Sequence, residues 1–187
     1  MAGIGHNSKI ETRGYGARLV AWRKARTALL PRALPIEVIR KRVARAAELG
    51  LDYKAYAGIR AGTGRDIVAL LFSSNALRMM RQAQMPADRA AVLDRLKADR
   101  LVLVHAPLSP EHVAAMPQID DARRAPSFTM PWAAMARQLQ GDLRDFGVPA
   151  SGTVIIGETG VEAEWLTAAR AAGYVPATTY FGDAPSE

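Results

Sequence analysis

At 187 residues, with 49% apolar and 23% charged side chains, the chain is long enough for one cored domain and has the charge density of an ordinary globular protein. It contains no cysteine, which excludes disulfides, thiolate metal sites and cysteine nucleophiles. Its net charge of +7 is unevenly spread: residues 1–66 hold 14 Lys/Arg against 5 Asp/Glu, whereas residues 67–187 hold 11 against 13.

A cationic half attracts polyanions. No apolar run is long enough to span a bilayer. The first eight residues, Met1 to Ser8, lack the apolar stretch of a secretory signal. The expectation is a cytoplasmic protein with no membrane partner.

Residues 1–16 carry three glycines ahead of Tyr15 and no hydrophobic period, so they read as a flexible arm. Leu19, Val20, Trp22 and Ala25 to Leu30 fit a short helix, punctuated by Pro31 and Pro35. Pro35 suits the first turn of a second helix. In it, Ile36, Ile39, Val43, Ala46, Ala47 and Leu49 recur at helical spacing, and Gly50 is the stop. Its other face carries Arg40, Lys41, Arg42 and Arg45. Asp52 is placed to cap a third helix, Tyr53 to Ala61, which ends in Gly62-Thr63-Gly64.

The run Ile67-Val68-Ala69-Leu70-Leu71-Phe72 lies between Arg65-Asp66 and Ser73-Ser74-Asn75. A short unbroken apolar run between polar stops suits a strand buried on both faces. Leu101 to Val104 and Thr153 to Ile156 read the same way. A weaker fourth run, Tyr174-Val175 and on through Phe181, contains Pro176, which predicts an edge strand or a late start. Helical patterns separate these runs at Ala87–Ala98, Pro131–Phe146 and Val161–Ala172.

Strands alternating with helices predict an α/β fold: a small, mainly parallel sheet of about four strands with flanking helices. This domain is assigned to 65–182, after a basic helical region at 17–64 and before a tail at 183–187. A rival parse makes residues 53–80 a helix-turn-helix pivoting on Gly62-Thr63-Gly64. Its second helix would offer Ile67, Val68, Leu70 and Leu71 to base edges, which are poor groove readers, so the strand is preferred.

In open parallel sheets ligands bind beyond the carboxyl ends of the strands. The first run ends in Ser73-Ser74-Asn75, the second in His105-Ala106-Pro107, and the third in Gly157-Glu158-Thr159-Gly160. Parallel strands would gather these loops at one edge. Ser73, Ser74, Asn75, Gly157, Thr159 and Gly160 are then candidate ligand-binding residues for an anionic or nucleotide-like molecule. His105 is the candidate proton carrier, and Glu158 the candidate for orienting a polar group. The commoner roles of these residue types are helix capping and structural hydrogen bonding. No phosphate-loop or nucleophile-elbow motif is present. Three histidines without cysteine argue against a zinc site, no cofactor is indicated, and enzyme status stays open.

The second candidate is the basic region. Arg23, Lys24 and Arg26 lie on the first helix, and Arg40, Lys41, Arg42 and Arg45 on the second, interleaved with Trp22, Tyr53 and Tyr56. Lys and Arg attract phosphates, and aromatic rings stack on exposed bases. The leading expectation is an accessory or regulatory protein that contacts nucleic acid through these helices, or alternatively docks an acidic protein. The other expectation is a small-molecule-binding domain or enzyme using the strand ends.

Overall fold

A computed structural model describes residues 34–79 and 84–182. The chain divides into two units, Met1–Ile39 and Arg40–Glu187. The second unit holds the sheet.

Strands β1 (Ala69–Ser73), β2 (Asp99–Val104), β3 (Asp121–Arg124), β4 (Thr153–Gly157) and β5 (Gly173–Pro176) form one sheet in the order β3-β2-β1-β4-β5. Every adjacent pair is parallel. The three strong apolar runs of the sequence are the three inner strands. β1 and β4 are buried along their whole length, so neither has a solvent face that would demand polar alternation. The helix-turn-helix alternative is overturned, because Ala69–Ser73 is the central strand and pairs with both β2 and β4.

Two strands differ from expectation. β3, Asp-Ala-Arg-Arg, was not foreseen, because Ala122 is its one buried apolar residue. It pairs on one side only, and an edge strand tolerates charge that an inner strand does not. β5 stops at Pro176, short of the predicted run. Proline has no N–H to continue the ladder, and the residues after it form helix α8 (Ala177–Phe181) instead.

The other helices are α1 (Ile36–Glu48), α2 (Tyr53–Thr63), α3 (Ala87–Leu93), α4 (Pro110–Ala114), α5 (Trp132–Asp145), α6 (Gly160–Ala163) and α7 (Trp165–Ala169). Asp52 caps α2 as predicted, accepting from the Lys54 N–H at 2.9 Å. α4 had no sequence signal strong enough to predict it, and the expected last helix runs as two, α6 and α7. Among the described residues no helix is long and apolar enough to cross a membrane.

Alternate strand residues point to opposite faces, and the core divides accordingly. Leu70, Phe72, Val102, Val104, Val154 and Ile156 pack with Ala46 of α1, Leu49 just after it, Tyr56 of α2 and Tyr180 of α8. Ala69, Leu71, Leu101, Leu103 and Ile155 pack with Leu139 and Leu143 of α5 and Trp165 of α7. The described helices of the basic region thus help cover one face of the sheet.

Arg45 ties α1 to the incoming ends of β1 and β2. Its Nη2 donates to the Ile67 carbonyl at 2.9 Å, and its Nη1 to the Lys97 carbonyl at 2.9 Å and Glu48 at 3.1 Å. Its Nε reaches Asp66 at 3.3 Å, and Asp66 also accepts from the Tyr56 hydroxyl at 2.7 Å. Arg45→Met is therefore expected to cost about 1–3 kcal/mol, because it strands partly buried acceptors. The exposed Lys41→Gln should change stability by less than about 0.5 kcal/mol. Urea midpoints of the two variants check this, and equal values would contradict a structural role for Arg45.

Candidate functional site

Because the strands are parallel, the carboxyl ends of β2, β1 and β4 lie side by side. The chain lays β2 and β3 on one flank of β1 and β4 and β5 on the other, so connections leave the β1–β4 boundary in opposite directions. Such a switch point opens a crevice at the strand ends. There, Ser74 zips two loops together: its N–H donates to the Leu103 carbonyl at 2.9 Å, and its hydroxyl accepts from the His105 N–H at 3.0 Å.

At the centre of the crevice is a carboxylate with 0% exposure, Glu162. Thr159 and Glu162 form a capping box at the start of α6, in which the Glu162 N–H donates to Thr159 Oγ1 at 3.2 Å. In return, Glu162 Oε2 accepts the N–H groups of Thr159 at 3.0 Å and Glu158 at 2.6 Å. Its Oε1 faces the other loops. It accepts from Asn75 Nδ2 at 2.9 Å and lies 2.8 Å from His105 Nε2.

Burial alone would push the Glu162 carboxyl up. The hydrogen bonds from His105, the Thr159 and Glu158 amides and the Ser73 hydroxyl outweigh it and hold the group below the ordinary glutamate value. An ionised carboxylate only accepts, so Nε2 is the His105 nitrogen that carries a hydrogen toward it. Among the described residues, no group pairs with the other ring nitrogen, Nδ1.

The His105 ring stacks against two aromatic rings. Phe128 stacks on it at 4.9 Å and 8°, and Trp165 at 5.7 Å and 28°. His105 also lines a cavity of about 360 Å³ with Ala106, Arg124, Pro126, Phe128 and Gln138 among its walls. A second cleft of about 460 Å³ runs beside β3. Its Arg123 is already paired with Asp145 at 3.0 Å and placed over Phe146, and no histidine lines it.

The structure brings Ser73, Ser74, Asn75, His105, Gly157 and Thr159 to one edge. Ser73 and Ser74 are fully buried with their hydroxyls engaged inside the protein; Ser73 Oγ accepts the Ala76 N–H at 3.0 Å. Gly160 begins α6. The Glu158 side chain is exposed, and the buried carboxylate is the one four residues later. Sequence reasoning missed Glu162, Phe128, Trp165 and Arg124. A signal for Glu162 existed in the Thr-x-x-Glu capping pattern at 159–162.

Of the basic candidates, Arg23, Lys24 and Arg26 lie outside the described residues. Arg40 and Lys41 are exposed on α1 and Arg42 is partly so, whereas Arg45 serves the internal bonds described above. Among the described residues no group of three or more His, Asp and Glu side chains could hold a metal ion.

No protein-family model matches the chain, and neither a curated protein nor a solved structure matches it. The site's own geometry therefore carries the functional reading.

Two consequences are measurable. A Cβ at Gly157 would stand 2.8 Å from Tyr174 Cε2 and 3.0 Å from Glu162 Cβ. Gly157→Ala should cost about 1–3 kcal/mol by overpacking. Adding Tyr174→Leu should recover part of that loss in a thermal melt, and no recovery would place the strain elsewhere.

The second concerns pH. The folded-state pKa of Glu162 is depressed below the ordinary 4.5, so its contribution is present above that value and fades as pH falls through the lower one. Glu162→Gln should cost about 2–4 kcal/mol near neutrality. The gap between wild type and variant should narrow from about pH 4 downward. Urea midpoints across pH test this, and a pH-independent gap would show that Glu162 is not ionised in the fold.

Proposed function

We propose that the chain is an α/β ligand-binding domain whose strand-end site takes a small anionic molecule and exchanges a proton with it through His105. One observation supports this reading above the others: a fully buried Glu162 carboxylate orients an imidazole that lines a cavity. Taking a carboxylate out of water is costly, and an apolar side chain would fill the same space more cheaply. A charge kept there against that cost is the arrangement that sets a histidine for proton transfer.

The roles follow from the hydrogen bonds. Glu162 fixes the ring and the hydrogen on Nε2, Asn75 shares the load on Oε1, and Nδ1 is left to take a proton from a bound molecule. The imidazolium so formed is stabilised by the carboxylate behind it. Since Ser73 and Ser74 are engaged internally, Arg124 supplies the positive charge at the cavity wall.

Nucleic-acid contact through the basic helices is a second proposal. Its support is the excess of Lys and Arg in residues 1–66 and the exposure of Arg40 and Lys41.

A thermal-shift screen of small carboxylates and phosphorylated metabolites tests the first reading. At least one compound should raise the melting temperature of the wild type, and His105→Gln should abolish that rise while staying folded. Compounds that stabilise both proteins alike, or none that stabilises either, would remove it.

A further inference from the structure

Resting on the reading that the cavity beside His105 takes a ligand, we propose that this ligand is a planar aromatic monocarboxylate. Its ring displaces Phe128 from the face of the imidazole, and its carboxylate pairs with Arg124.

The shape comes from the stack. Trp165 is 1% exposed and forms the fixed floor under His105, whereas Phe128 is 60% exposed and forms the cover. Phe128 lies almost parallel to the imidazole, 8° apart, so a six-membered ring fits flat on that face. An aromatic ring that remains mostly in water is weakly held and readily exchanged for another flat ring. Phe128 sits in a turn, closed by the Met130 N–H to Ser127 carbonyl bond at 3.0 Å, that itself lines the cavity.

The charge comes from the walls. Arg124 is the cationic residue lining the cavity, and no carboxylate lines it. One of its nitrogens, Nη1, donates to the Leu108 carbonyl at 2.7 Å, and the Glu111 charge acts on the guanidinium from the neighbouring cleft that Arg124 also lines, so a ligand carboxylate would share it with Glu111. One guanidinium balances a single negative charge, which favours a carboxylate over a doubly charged phosphate. A volume near 360 Å³ lies at the lower end for ligand cavities and suits one ring or two fused rings.

Calorimetry on the full chain, with the His105 imidazole followed by NMR, tests the proposal using benzoate, 2-naphthoate, cyclohexanecarboxylate and benzamide. Benzoate or 2-naphthoate should saturate and shift His105. Cyclohexanecarboxylate, equal in charge but not flat, and benzamide, flat but neutral, should each bind at least about tenfold more weakly. Arg124→Met should erase the preference for benzoate over benzamide, and Arg124→Lys should restore part of it. Phe128→Ala should bind benzoate about threefold more tightly, because the ligand no longer has to displace a ring.

Equal binding of cyclohexanecarboxylate, an unchanged preference in Arg124→Met, or weaker binding in Phe128→Ala would each overturn the aromatic-acid assignment while leaving a ligand site at His105. The assignment also fails, and the site reading survives, if only phosphorylated metabolites shift His105. If no compound of any class perturbs His105, both fall.

Discussion

An ionised carboxylate with no access to water must find its donors inside the protein, and the strand-end architecture is arranged around that requirement for Glu162. Its donors come from three separate connections: Asn75 after β1, His105 after β2, and the Glu158 and Thr159 amides after β4. No two of those loops are close in sequence. They meet because β2, β1 and β4 are neighbours and run the same way. A buried charge with four or more donors is tolerable, whereas one with a donor missing is among the costlier defects a fold can carry. Assembly of the sheet and assembly of the site are thus one event.

The apolar core makes that burial possible. Trp165 belongs to the cluster under one face of the sheet and also stacks on His105, so the ring that fills the core forms the floor of the site. Gly157 contributes by what it lacks, since a side chain there would meet Tyr174 and Glu162. Tyr174 donates to the Thr159 carbonyl at 3.3 Å, and burial together with the Glu162 and Glu158 charges pushes its phenol up, so it stays a neutral donor beside the carboxylate. The capping box does two things with one glutamate: it starts α6 and presents the second carboxylate oxygen to the histidine.

Much of this was legible in the sequence, and the failures have physical causes. Unbroken apolar runs at 67–72, 101–104 and 153–156 announced strands buried on both faces, and their polar endings announced loops that converge if the sheet is parallel. β3 was not legible because an edge strand under no burial pressure on one side carries the composition of a loop. Glu162 was half legible. The Thr-x-x-Glu spacing marks a cap, but facing His105, 57 residues away, depends on which strands are neighbours. Strand order is a property of the whole chain that no local pattern records. The aromatic layers on His105 were hidden for the same reason, since Phe128 and Trp165 come from opposite flanks of the sheet.

The charge asymmetry that dominates the sequence takes on a different meaning in the fold. Part of the positive charge in the N-terminal half is internal wiring: Arg45 bonds backbone carbonyls just before β1 and just before β2, and Arg60 lies 3.1 Å from Asp66. A polyanion could not recruit these groups without breaking the bonds that hold α1 and α2 to the sheet. They also sit at the incoming ends of the strands, while His105 and Glu162 sit at the outgoing ends, roughly 17 Å away for a five-residue strand. The Arg45 and Arg60 bonds and the His105–Glu162 pair therefore occupy opposite edges of one sheet. Independence of the two edges is what this geometry favours, and each can be altered without the other.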